Sequence, residues 1–172
     1  MDAAAHTMAK KHDKPGTNER VIENRKARHD YAILDSIECG IILRGSEVKS
    51  VRAGAVSLGE GWVKAGASPP SLLLYGVNIA EYGPSGPVGG AGQHKPTRGR
   101  ALLAHKREIL KLARQSDEKG LTIVPLKMYF KNGYAKVLIG VARGKTSHDK
   151  RESIKEREHT RDIQRATSRR AR

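Results

Sequence analysis

Apolar and polar positions alternate most clearly near the C-terminal end of the chain. Val124, Leu126, Met128 and Phe130 interleave with Pro125, Lys127, Tyr129 and Lys131, and Tyr134 to Val141 repeats the rhythm after Asn132-Gly133. Period-two alternation marks a half-buried strand, and Asn-Gly supplies the two residues that tolerate positive φ in a tight hairpin turn. Tyr31 to Cys39 forms another predicted strand, and Gly40 precedes a further one beginning at Ile41-Ile42-Leu43. Val56 to Lys64 and Leu72 to Ile79 add two more, separated by Gly66, Pro69 and Pro70, which interrupt regular structure.

Two stretches follow a helical period instead. Ser46 to Arg52 is a short predicted helix, with Ser46 as N-cap and Gly54 as its stop. Leu102 to Glu118 is longer. Leu103, Lys106, Leu110 and Ala113 line one stripe with Ile109 beside it, and Gly120 ends the run. Between Tyr82 and Arg100 the chain is rich in Gly and Pro, which predicts a flexible loop. Short strands with helices at their junctions predict a mainly β protein, a small barrel of the oligonucleotide-binding kind. An SH3-like barrel satisfies the same periodicity.

Charge changes the picture. The 172 residues carry 33 Lys and Arg against 18 Asp and Glu, a net +15 with a pI near 10.2. Self-repulsion on that scale points to a polyanionic partner, nucleic acid first and an anionic membrane surface second. No apolar stretch approaches the ~20 residues that span a bilayer. Residues 1–20 read as an arm, 21–142 as the core and 143–172 as a basic tail, the last with 11 basic against 5 acidic side chains. With few large apolar residues, that tail does not offset its own ordering entropy. Cys39 is the only cysteine, which excludes an internal disulfide and a cysteine zinc cluster and predicts a buried small hydrophobe. Met1 to Lys11 lacks the apolar run of a signal peptide, so the expected location is the cytoplasm.

Catalytic signatures are scarce. The seven histidines include no His-x-x-x-His or His-Glu-x-x-His pair, the Gly-rich stretches lack P-loop lysine spacing, and the acids are scattered. The expectation is a binding protein without cofactor or metal, not an enzyme. Basic clusters are plentiful by contrast. Lys95-Pro-Thr-Arg-Gly-Arg100, with Arg98 and Arg100, leads into a segment bearing Lys106, Arg107, Lys111 and Arg114. Asn24-Arg-Lys-Ala-Arg-His29 brings Arg25, Lys26, Arg28 and His29 directly before the first strand. Both suit phosphate contact, and Tyr31, Tyr129 and Tyr134 suit base stacking. In a helical tail, Arg157, Arg161, Arg165 and Arg169 would share one face. Like charges at i, i+4 repel by roughly 0.2–0.5 kcal/mol per pair, so the tail is expected to be disordered when free and helical beside phosphates.

Four strings carry a family resemblance. Asn24-Arg-Lys-Ala-Arg-His-Asp-Tyr31, Gly45-Ser-Glu-Val-Lys-Ser-Val-Arg-Ala-Gly54, Leu121-Thr-Ile-Val-Pro-Leu-Lys-Met-Tyr-Phe-Lys-Asn-Gly133 and Gly144-Lys-Thr-Ser-His-Asp-Lys-Arg-Glu152 resemble signature blocks of the SsrA-binding protein family, in the family's order. The resemblance implies an oligonucleotide-binding-type barrel that grips the tRNA-like domain of transfer-messenger RNA. It implies entry of that complex into the A site of stalled ribosomes, delivered with elongation factor Tu, so that the incomplete peptide is tagged. Carried over by motif, Glu38, Leu103 and Lys136 would contact RNA. Lys145, His148, Asp149, Lys150 and Arg151 would meet the small-subunit decoding centre, and Arg157, Arg161 and Arg165 the message channel. Ala101 departs from the family's frequent lysine before its leucine pair. A ribosomal protein with the same barrel and a nuclease are the rival readings.

Overall fold

The computed structural model describes residues 20–146, with 88 and 91 excepted. The expected tail from 147 onward, with His148 to Arg151 and Arg157 to Arg165, lies outside the described residues, as does the arm before Arg20. In chain order the elements are β1 (Ile22–Glu23), α1 (Arg25–Asp30), β2 (Tyr31–Ile41), α2 (Gly45–Ala53), β3 (Val56–Ser57), β4 (Trp62–Ala67), β5 (Pro70–Tyr75), β6 (Asn78–Ile79), β7 (Arg100–Leu103), α3 (Lys106–Ser116), β8 (Leu121–Lys131) and β9 (Tyr134–Gly144). The protein is mainly β. Seven strands form one sheet in the order β1-β8-β9-β2-β7-β5-β4, every pairing antiparallel, while β3 pairs with β6 apart from it.

The sheet curls until β4 lies against β8, and α3 packs on β4, β5 and β8. Val63, Leu72, Leu74, Met128, Val137 and Ile139 fill the enclosed space with Ile109 and Leu112 of α3. Cys39 is buried there too, and burial pushes its thiol up to about 11, so it behaves as a small hydrophobe. The Asn132-Gly133 turn has positive φ at both residues, 53° and 79°. It joins β8 to β9 with Lys131 opposite Tyr134, as the alternation predicted.

Several sequence expectations are corrected. Gly40 does not separate two strands, because β2 runs through it to Ile41. The helix expected from Leu102 starts at Lys106 instead. Arg100 to Leu103 is held as β7 by pairing with β2 on one side (Ile41 with Leu102) and β5 on the other (Leu74 with Arg100). Two ladders outweigh a helical preference that is weak to begin with. Ser46 is not an N-cap. Glu47 reaches back to accept the Arg44 amide at 2.7 Å, so α2 starts one residue earlier. The Gly- and Pro-rich loop is also more tied down than its composition predicts. Gln93 donates to the Tyr82 and Gly86 carbonyls at 2.8 and 2.9 Å, and buried His94 bridges Ser46 Oγ and the Ile79 carbonyl at 3.0 Å each.

Arg100 requires the largest correction. Expected as an RNA contact, it is completely buried. Its Nε donates to Glu47 Oε1 at 2.9 Å, and its other nitrogens donate to the carbonyls of Val77, Arg98 and Pro96. Arg98, three-quarters covered, donates to both Glu47 oxygens. Burial pushes the Glu47 carboxyl up, but hydrogen bonds from Arg98 and the Arg44 amide, with the attraction of both guanidiniums, outweigh it and leave the group below its ordinary value of 4.5. Glu47→Ala would strand a buried arginine, so it should cost about 3–5 kcal/mol in urea unfolding. Because the folded-state carboxyl is depressed, the stability it contributes is full above its unfolded value near 4.5 and is lost as pH falls below that. The wild type should therefore lose stability more steeply than Glu47→Ala when melting is followed from pH 6 to pH 3.

Candidate nucleic-acid interface

One outward row of side chains crosses four strands. Tyr129 of β8 lies opposite Lys136 of β9, Lys136 opposite Gly40 of β2, and Gly40 opposite Leu103 of β7. Directly paired residues share a face, so the row spans roughly 14 Å at the usual strand spacing. Glu38, two residues before Gly40, joins it from the adjacent row. Tyr129 donates its hydroxyl to Glu38 Oε2, and Lys136 Nζ stands 3.9 Å from Glu38 Oε1. Burial pushes the Tyr129 phenol up and the hydrogen bond to Glu38 pushes it further, so the hydroxyl stays a donor at any physiological pH. Leu103 is 58% exposed and covers Gly40, where a β-carbon would meet its Cβ at 3.4 Å. The structure thus collects Glu38, Leu103 and Lys136, which are 98 residues apart in the chain at their extremes.

Two bulges decide what the rest of this face does. The register slips between Ile33 and Asp35 in β2 and between Pro125 and Lys127 in β8. Such a slip turns the side chains beyond it to the opposite face. Ile37 and Cys39 therefore point into the main core, whereas Tyr31 and Ile33 pack outside it with Val124, Leu126 and Ala142. This second cluster lies under Ala27 of α1. Gly140 permits it: a β-carbon there would come within 2.8 Å of Leu126 and 3.1 Å of Ile33.

Asn24 locks the helix down. It is buried; its Oδ1 accepts the Ala27 amide at 2.9 Å, and its Nδ2 donates to the Leu58 and Pro125 carbonyls at 2.8 and 2.9 Å. With α1 anchored through Asn24 and Ala27, Arg25, Lys26 and Arg28 are left exposed and His29 half-buried. Lys145 closes the arrangement by donating its amide to Asp30 and its ammonium to the Arg28 carbonyl. Between α1 and the Glu38 row runs a groove of about 410 Å³, with Arg28 and Lys145 on its rim and Ile33, Leu126 and Leu138 in its floor.

Lys106 and Arg107 are exposed in the first turn of α3, just past Leu103, and Arg98 is committed to Glu47. Reading the sequence alone missed Gly40, Gly140 and the Tyr129–Glu38 bond, since each matters only across strands. Asn24 left one signal, an N-cap residue before a basic helix. Among the described residues no His, Cys, Asp and Glu group could hold a metal ion, and no helix is long and apolar enough to cross a membrane.

Cations ranged along one sheet face attract phosphates, and the carboxylate among them adds selectivity. Glu38 repels phosphate but accepts from base amino groups and ribose 2′-hydroxyls. The fold and this face define a small antiparallel β-barrel protein built to hold a polyanion. Comparison with known proteins narrows the class. The family model described as SmpB protein matches residues 21–169. The SsrA-binding protein of Staphylococcus aureus (strain Newman) is 49% identical over 160 residues, 92% of this chain and 96% of the relative. That of Limosilactobacillus reuteri (strain DSM 20016) is 46% identical over 158 residues, 92% of this chain and 97% of the relative. A solved chain described under "tmRNA-SmpB: a journey to the center of the bacterial ribosome" matches with a TM-score of 0.61 and 45% identity, covering 78% of this chain and 94% of that one. The chain belongs to the SmpB protein family.

Asn24→Ala should cost about 2–4 kcal/mol in urea, from the lost cap and two buried carbonyls left bare. Asn24→Asp should be no better, because it keeps the cap but turns a carboxylate toward the same carbonyls.

Proposed function

We propose that this chain is the RNA-binding adaptor of ribosome rescue, gripping the tRNA-like domain of transfer-messenger RNA and bringing it to the A site of stalled bacterial ribosomes. It is not an enzyme. The observation that carries the reading is the Tyr129–Glu38–Lys136–Leu103 cluster, set beside a groove rimmed by Arg28 and Lys145 on a chain of net +15. Family membership and the likeness to a chain from a tmRNA-SmpB structure support it.

In this reading α1, with Arg25, Lys26, Arg28 and His29, neutralises phosphates, and Glu38 and Lys136 set the register of the RNA on the sheet. Leu103 offers an apolar contact to ribose or base, and Lys106 and Arg107 extend the positive rim. Lys145 starts the basic extension at α1. His148, Asp149, Lys150, Arg151, Arg157, Arg161 and Arg165 then reach the decoding centre and the message channel. Elongation factor Tu takes part through the charged RNA, and the setting is the bacterial cytoplasm.

Glu38→Ala and Lys136→Ala should each weaken binding of the transcribed tRNA-like domain about 10- to 100-fold, since charge-assisted hydrogen bonds contribute roughly 1.5–3 kcal/mol. Thermal melting should stay within about two degrees of wild type. Normal RNA affinity in both variants would overturn the placement of the RNA on this face. Truncation after Thr146 should leave that affinity intact and abolish peptide tagging on stalled ribosomes. Loss of both together would make the extension part of the primary grip.

A further inference from the structure

We propose that Trp62 is a stacking platform for one unpaired RNA base, in a pocket on the far side of α1 from the groove described above. The inference rests on the RNA-binding reading and extends it to a second contact. Trp62 is the chain's only tryptophan and is 47% exposed on β4. It lies opposite Tyr75 of β5, the two rings stacked with centroids 4.9 Å apart and planes inclined by 26°. Tyr75 is backed in turn by Gly99, where a β-carbon would fall 2.9 Å from its Cε1. Backbone, phenol ring and indole thus form a stack fixed from behind.

Trp62, but not Tyr75, lines a pocket of about 310 Å³ with Lys26, Asp30, Tyr31, Glu60 and Thr122. That volume sits at the small end of ligand sites and suits a single base. Gly61 holds the turn that carries Glu60, because a β-carbon there would meet Pro125 at 2.6 Å and Val77 at 2.8 Å. The two carboxylates repel a phosphate and accept N–H groups from a base edge. The cations keep to the edge: Lys26 pairs with Glu60 at the pocket's rim, and exposed Arg25 sits beside it on α1. The chemistry therefore favours a base held inward with its phosphates outward. An aromatic ring face open to a polar pocket is what base stacking requires, and every base has a matching face.

Because Trp62 is the sole tryptophan, its fluorescence reads the contact in the full-length protein. Titration with a ten-nucleotide oligo(A) RNA should quench it, and heparin, a polyanion without bases, should not. Trp62→Leu should bind oligo(A) about 5- to 100-fold more weakly, and Trp62→Phe, which keeps an aromatic face, should recover part of that loss. Absence of quenching by oligo(A), equal quenching by heparin, or unchanged affinity in Trp62→Leu would overturn the platform. A cross-strand pair serving the sheet alone would lower the melting temperature of Trp62→Leu and leave affinity untouched. If the tRNA-like domain still binds the wild type while oligo(A) fails to quench, this platform falls and the RNA-binding reading stands.

Discussion

The buried carboxylate of Glu47 organises the half of the molecule that has the least regular structure. It accepts from Arg100, from Arg98 and from the Arg44 amide at the start of α2. Through Arg100 it also fixes the carbonyls of Val77 and Pro96. A buried ion pair adds little net stability over an apolar replacement, but it tolerates only one arrangement of its members. That arrangement brings α2, the end of the long loop and β7 together. β7 in turn lays Leu103 beside Gly40 on the outer face. An interaction hidden beneath the loop thereby decides where an exposed leucine stands.

The outer face depends on a second constraint, the pair of bulges at Leu34 and Leu126. Without them, alternation would make one side of the sheet wholly inner and the other wholly polar. With them, part of the outer face becomes a small apolar bed for α1, and the remainder stays open. The bed anchors the basic helix through Ala27, with the Lys26–Glu60 pair beside it. Arg25 and Arg28 remain exposed on the helix surface. The stability of the second cluster and the exposure of the cations both follow from these two register shifts.

Positive charge on this scale is a burden to the free protein, and the structure offsets part of it locally. Lys26 with Glu60, Lys111 with Asp35 and Lys127 with Glu23 are exposed or half-exposed pairs. Each such pair contributes little to stability, and each is readily exchanged for a phosphate contact. Glu38 differs because Tyr129 and Lys136 both engage it, so it is preorganised rather than loosely paired.

How much of this was legible in the sequence depended on whether the signal was local. The β8–β9 hairpin was legible, since alternation and Asn-Gly are properties of adjacent residues. The basic cluster before β2 and the net charge were legible for the same reason. Helical periodicity misled at Leu102 and Leu103, because β7 exists only when β2 and β5 flank it. Arg100 shows the limit best. In sequence it is one basic residue among several in a basic loop, and only a carboxylate 53 residues away makes it a buried structural ion. Gly40 likewise looked like a break and Gly140 like one more position of a strand, yet they are the places where Leu103, Leu126 and Ile33 need room. The sequence by itself determined the mainly β class, the polyanionic partner and the hairpin, because short-range pattern and summed charge are additive along the chain. The tertiary structure alone decided which charges are buried and which side chains meet across strands, because those depend on contacts between residues far apart in sequence.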